Sequence, residues 1–173
     1  MSTRRTALAG LLALLACSTH AAEPAAPDQL VGIFIQGCLP FAGNPPALRD
    51  WAARNRLVPL PDAATRAFLR DAPGQSFDAS APGVKLVLAS SDDGICAAIT
   101  DRASADAVAS ALEAGFRQAG LSFRLAIDRD DTATKALHFR EYLATRRGRS
   151  WRILAATVHD PAGGQAMLTA APE

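Results

Sequence analysis

The feature that most limits how this chain can fold is the set of period-two segments after Pro73-Gly74, joined by very short turns. Side chains along a strand alternate between the two faces of a sheet, and strands joined by two or three residues must run antiparallel. Segments 84–90 and 95–100 flank Asp93-Gly94, a dipeptide that favours a two-residue type I′ hairpin. On that register Leu88 opposes Ile99, and Leu86, Ala97 and Ile95 share its face. Cys96 then falls on the other face with Val87, Ala89 and Ala98. Farther on, Leu121, Phe123, Leu125 and Ile127 alternate with Ser122, Arg124, Ala126 and Asp128. Two more strands follow at 135–144 and 150–158, and Gly163-Gly164 leads into a last one through Met167 and Leu168.

The remaining segments carry helical signals. Leu30, Phe34 and Cys38 recur at i, i+4, i+8 behind a candidate cap at Asp28. Asn44-Pro45 is a cap followed by proline at the first helical position, and the helix it opens turns Leu48, Trp51 and Ala52 inward. Pro59 and Pro61 break the chain, and Asp62 starts a short helix through Phe68 and Leu69. The clearest helix covers 104–119: Ser104 caps it, Val108, Leu112, Phe116 and Ala119 form one stripe, and Gly120 ends it. The expected fold is α+β, an antiparallel sheet with helix 104–119 on one face and the short N-terminal helices on the other.

Composition narrows the class. With 173 residues, 49% hydrophobic and 20% charged, the chain has the material for one packed domain and is not disordered by composition. A formal charge of +1 gives no reason to expect nucleic acid. The N-terminus reads as an export signal: Arg4 and Arg5 precede an apolar run, Ala7 to Ala16, too short to span a bilayer. Two processing outcomes fit. Leu14-Leu15-Ala16-Cys17 is lipobox-like and would lipidate Cys17, whereas Thr19-His20-Ala21 suits ordinary cleavage after Ala21. The expected organisation is a signal peptide over 1–21, a linker over 22–27 and a single domain over 28–173, located in the periplasm or cell envelope, with a lipid anchor at Cys17 as the only membrane link.

Apart from Cys17 the chain holds two cysteines, Cys38 and Cys96, and in an oxidising compartment these are expected to pair as a structural disulfide. The expected bridge would hold the N-terminal helices to the sheet face that carries Cys96. Neither a C-x-x-C motif nor zinc-ligand spacing is present. No G-x-S-x-G, H-E-x-x-H, Walker or Rossmann pattern occurs, so no catalytic residue, metal or cofactor is assigned. Asp128, Asp130 and Asp131 lack the glycine and glutamate of a calcium loop and read as a solvated turn, and His159-Asp160-Pro161 reads as a strand end.

The basic hairpin Arg146-Arg147-Gly148-Arg149 stands out. A two-residue turn at Arg147-Gly148 puts Leu137, Phe139, Leu143, Leu154, Ala156 and Val158 on one apolar face, with Glu141 diagonal to Arg152. The other face carries His138, Arg140, Tyr142, Arg146, Arg149 and Trp151. Arginine and aromatic side chains together are what binding hot spots use. That face is therefore the candidate surface for a partner, or else Tyr142 and Trp151 are core beneath the N-terminal helices.

Cys38-Leu39-Pro40-Phe41-Ala42, Asp93-Gly94-Ile95-Cys96, Trp151-Arg152-Ile153-Leu154 and Gly164-Gln165-Ala166-Met167-Leu168-Thr169 resemble an uncharacterised family of small secreted or lipidated proteins of Gram-negative bacteria. The resemblance implies an envelope protein with two paired cysteines and brings no activity with it. The expectation is a non-enzymatic envelope module that binds a protein, peptide or anionic ligand. A small periplasmic hydrolase with a site assembled from distant residues, or an inhibitor of an envelope-degrading enzyme, are the alternatives.

Overall fold

The computed structural model describes residues 25–133, 136–158 and 164–173. The expected export segment with Cys17, and His159, lie outside the described residues. Helix α1 (Ala26–Ile33) runs straight into a π-helical turn (Phe34–Cys38); α2 is Pro45–Arg54, α3 Asp62–Leu69 and α4 Ala105–Gln118. The strands are β1 (Val58–Pro59), β2 (Gly74–Asp78), β3 (Leu86–Ser91), β4 (Cys96–Thr100), β5 (Ser122–Asp130), β6 (Leu137–Arg146), β7 (Arg149–Val158) and β8 (Ala166–Pro172). They form one antiparallel sheet in the order β1-β2-β3-β4-β8-β7-β6-β5. After β4 the chain crosses the sheet through α4, starts again at the far edge with β5, and returns strand by strand until β8 pairs with β4.

The helices start where local chemistry directs. The Asn44 side chain accepts the Ala47 N–H at 3.3 Å, with proline next in line, and the Ser104 hydroxyl accepts the Ala107 N–H at 3.4 Å. Asp28 and Asp62 sit inside the first turns of α1 and α3 rather than at the caps, where their charge still suits the positive helix end.

The α+β class and the Cys38–Cys96 disulfide are as expected, but the layering differs. Helices α1, α2 and α4 all lie on the same face of the sheet, and only α3 lies on the other. Leu30, Phe34, Leu48, Leu112 and Phe116 pack there against Leu88, Ala98, Tyr142, Ile153 and Leu168. Gly115 lets α1 and α4 approach, since a Cβ there would lie 2.7 Å from both Val31 and Ile35.

The cause of the difference is one residue of register. The β3–β4 loop has three residues, Asp92-Asp93-Gly94, so Leu88 opposes Ala98 and Ser90 opposes Cys96. Leu88 does not oppose Ile99, and Cys96 shares the Leu88 face. A slip of one residue exchanges the two faces of a strand. Ser91 N–H donates to Ile95 O at 3.0 Å, Gly94 N–H to Ser91 O at 3.2 Å, and Gly94 takes φ of 93°. The Asp93 carboxylate accepts the Ser91 hydroxyl and the Ile95 N–H, and these bonds hold it below the usual carboxylate range. Tertiary contact completes the turn: Gly43 N–H donates to Gly94 O at 2.9 Å, and Arg49 of α2 pairs with Asp92. The Cys38–Cys96 bridge, with Cα atoms 5.3 Å apart, then binds the π-helical turn to β4 on that same face.

Candidate functional site

The β6–β7 hairpin has the expected register. Arg146 opposes Arg149 across a two-residue turn in which Arg147 and Gly148 take φ of 51° and 76°, the type I′ geometry. The Glu141–Arg152 ion pair forms at 3.7 Å on the open face. Which face is covered, however, is the reverse of the binding-surface expectation. The side with Leu137, Phe139, Leu143, Leu154, Ala156 and Val158 is half-buried, whereas Tyr142 is fully buried and Trp151 is 5% exposed. Both aromatics lie beneath the helical layer.

The candidate residues therefore divide into three groups along β6. At one end His138 lies between two carboxylates, its Nδ1 2.8 Å from Asp130 and its Nε2 2.8 Å from Asp128. Arg140 donates from Nε to Asp128 at 3.0 Å and lies 3.5 Å from Asp106 at the start of α4. Burial works against the Arg140 charge, and the two carboxylates outweigh it, so its pKa is raised. Asp128 and Asp130 thus belong to a strand and serve as cross-strand partners, not as an open acidic turn. Both ring nitrogens of His138 face these carboxylates.

The middle of β6 is core. The Tyr142 ring packs edge-on to Phe116 at 5.7 Å and to Phe123 at 6.1 Å, and its hydroxyl donates to Glu113 at 3.3 Å. Burial, with the Glu113 carboxylate beside it, pushes the phenol up to about 12.

At the other end lies an arrangement suited to an exogenous ligand. Eight residues of strand, about 26 Å, separate it from His138. A groove of about 220 Å³ opens between the π-helical turn, the end of α4 and the hairpin. Its walls are Ile35, Leu39, Pro40, Ala119, Leu121 and Trp151, and Arg146, Arg147 and Arg149 stand around its mouth. Arg149 is held in place: its guanidinium lies over the Trp151 ring at 5.2 Å and donates to Pro40 O at 3.1 Å. Arg146 and Arg147 are exposed and have no carboxylate partner among the described residues. Like charges directly opposite on a hairpin repel, and no carboxylate among the described residues offsets this cluster. The groove continues along the α1–α4 seam, where a second depression of about 380 Å³ shares Ile35 and Ala119 with it and adds Asp28, Gln36 and Gln118.

Arg146, Arg149 and Trp151 thus lie together at the groove, while His138 and Arg140 belong elsewhere and Tyr142 is core. The groove walls from the π-helical turn and the segment just after α4 carry no mark of this role in the sequence. They lie far along the chain from the hairpin, and no local signal marks them as its neighbours. Among the described residues no group of three or more His, Cys, Asp or Glu is arranged to hold a metal ion, and no helix is long and apolar enough to cross a membrane. No known family model, curated protein or solved structure matches this chain.

Proposed function

We propose that this chain is an exported, non-enzymatic binding module that takes a ligand bearing an anionic group and an apolar part in the Arg146/Arg147/Arg149 groove. The observation that carries this is the set of three guanidinium groups, none with a carboxylate partner among the described residues, at the mouth of an apolar groove. Guanidinium groups meet carboxylate and phosphate oxygens through paired hydrogen bonds, and an adjacent dry wall strengthens such bonds. The address rests on the charged n-region and short apolar run before residue 22, and intact mass of protein recovered from the envelope tests it: a mature chain beginning at Cys17 with lipid attached, or at Ala22, is expected. The groove is tested with anilinonaphthalene sulfonate, a probe that is both anionic and apolar. Saturable fluorescence enhancement is expected from the native protein. The Arg146→Ala, Arg147→Ala double variant should lose most of it while keeping its unfolding free energy within about 0.5 kcal/mol, as exposed substitutions do. An unchanged fluorescence response in that variant would discard the groove as the site.

A further inference from the structure

We infer that the occupant of the groove is the carboxyl-terminal end of an extended peptide, an inference that rests on the anion-binding reading of the Arg146/Arg147/Arg149 mouth. The groove is not uniform along its length. Its first part pairs exposed guanidinium groups with the apolar surface of Ile35, Pro40 and Ala119 above the buried Leu39, Leu121 and Trp151, which suits a carboxylate next to one apolar side chain. Arg149 is occupied by Trp151 and Pro40 O, so Arg146 and Arg147 are the groups left to receive the carboxylate oxygens. The second part, beyond Ile35 and Ala119, changes character. There Gln36 of the π-helical turn and Gln118 of α4 line the depression, together with Asp28 of α1.

That polarity separates the candidate ligands. Inorganic phosphate would use the arginines and leave the rest of the groove idle. An alkyl chain attached to a carboxylate would meet Val31, Ile35 and Ala111 there but would also cover Gln36, Gln118 and Asp28, stripping water from them without returning a hydrogen bond. A peptide offers what each part takes: a terminal carboxylate at Arg146 and Arg147, an apolar last side chain against Ile35 and Pro40, backbone N–H and C=O for the two glutamines, and a basic residue or amino group toward Asp28. Carboxamide side chains serve both backbone groups because each has a donor and an acceptor. The π-helical turn at Phe34–Cys38 contributes by widening the helix where Ile35 and Leu39 face the groove, and such turns recur at functional sites.

The experiment uses random decapeptides attached to a surface through their N-termini, one pool with free terminal carboxyl groups and one amidated. Capture of the purified domain by the free-acid pool should exceed capture by the amidated pool about tenfold, with apolar residues enriched at the last position. Arg146→Ala with Arg147→Ala should abolish capture, and Gln36→Ala with Gln118→Ala should weaken it about threefold to tenfold. Anilinonaphthalene sulfonate should compete with the free-acid pool. If both pools are captured equally, or neither is captured while the probe still binds in an arginine-dependent way, the peptide is wrong and the anion site stands. If the probe itself no longer depends on the arginines, the site and the inference fall together.

Discussion

Ile153 and Leu154 are neighbours on β7 and similar in apolar surface, yet they lie in opposite settings. Ile153 is fully buried beneath the helical layer, whereas Leu154 looks out from a sheet face that α3 covers only near β2–β4. The same contrast runs across the whole sheet. The covered face holds Tyr142, Ala144, Ala155, Leu168 and Ala170, and the small residues among them let α1 and α4 come close. The open face holds Leu137, Phe139, Leu143 and Met167, larger side chains shielded mainly by one another. Apolar character alone therefore does not tell a core face from an exposed one. What tells them apart is where helices of matching shape can dock.

The largest test of that contrast removes the clamp on the covered face. Replacing Cys38 and Cys96 with serine opens a 58-residue loop and should cost about 4 kcal/mol on the chain-entropy account, read as a lower urea midpoint. An unfolding midpoint unchanged by reduction would mean that packing alone holds the helices in place. Next in size is the neighbouring pair: Ile153→Ala should cost about 3 kcal/mol, and Leu154→Ala about 1 kcal/mol or less. Equal losses would show that the open face is covered in solution.

Tyr142 provides a third test, because it is the only tyrosine in the chain and its ultraviolet titration reads a single buried site. Its phenol ionises more readily in the unfolded chain, near 10, than in the folded one, at about 12. The stabilisation is thus complete below pH 10 and is lost as pH rises through that window, on the order of 2 kcal/mol. Ionisation at pH 10 in the native protein would place Tyr142 in water and return it to the exposed candidates.

The smallest expected effect separates binding from stability. Arg147 holds a left-handed φ of 51° that asparagine adopts more easily in a type I′ turn. Arg147→Asn should therefore gain about 0.5 kcal/mol in thermal unfolding while weakening the fluorescence response to anilinonaphthalene sulfonate. A loss of stability would mean that the arginine serves the turn rather than a ligand.

Much of this was legible in the residues. Asn44-Pro45 and Ser104 mark their helices because a cap is a local hydrogen bond, and Gly148 marks the β6–β7 turn because glycine takes its positive φ without strain. The β3–β4 register was not legible. Asp93-Gly94 satisfies a two-residue turn as a dipeptide, and the three-residue form is held by Asp93 bonding to Ser91 and Ile95 and by Gly43 and Arg49 closing on it from α2 and its approach. Strands β1 and β2 escaped as well, since Gly74-Gln75-Ser76-Phe77-Asp78 carries one large apolar side chain and joins the sheet by pairing with β3.

The sequence by itself determined the α+β class, the main helices, the antiparallel pairing and the two cysteines that join, because caps, turns and alternation act over a few residues. Only the tertiary structure decided which face the helices cover and, with it, that Tyr142 is core and that the hairpin arginines meet Ile35, Leu39 and Leu121 in a groove. Alternation defines two faces without ranking them. The ranking comes from burying helices against one of them, an energy summed over residues far apart in the chain.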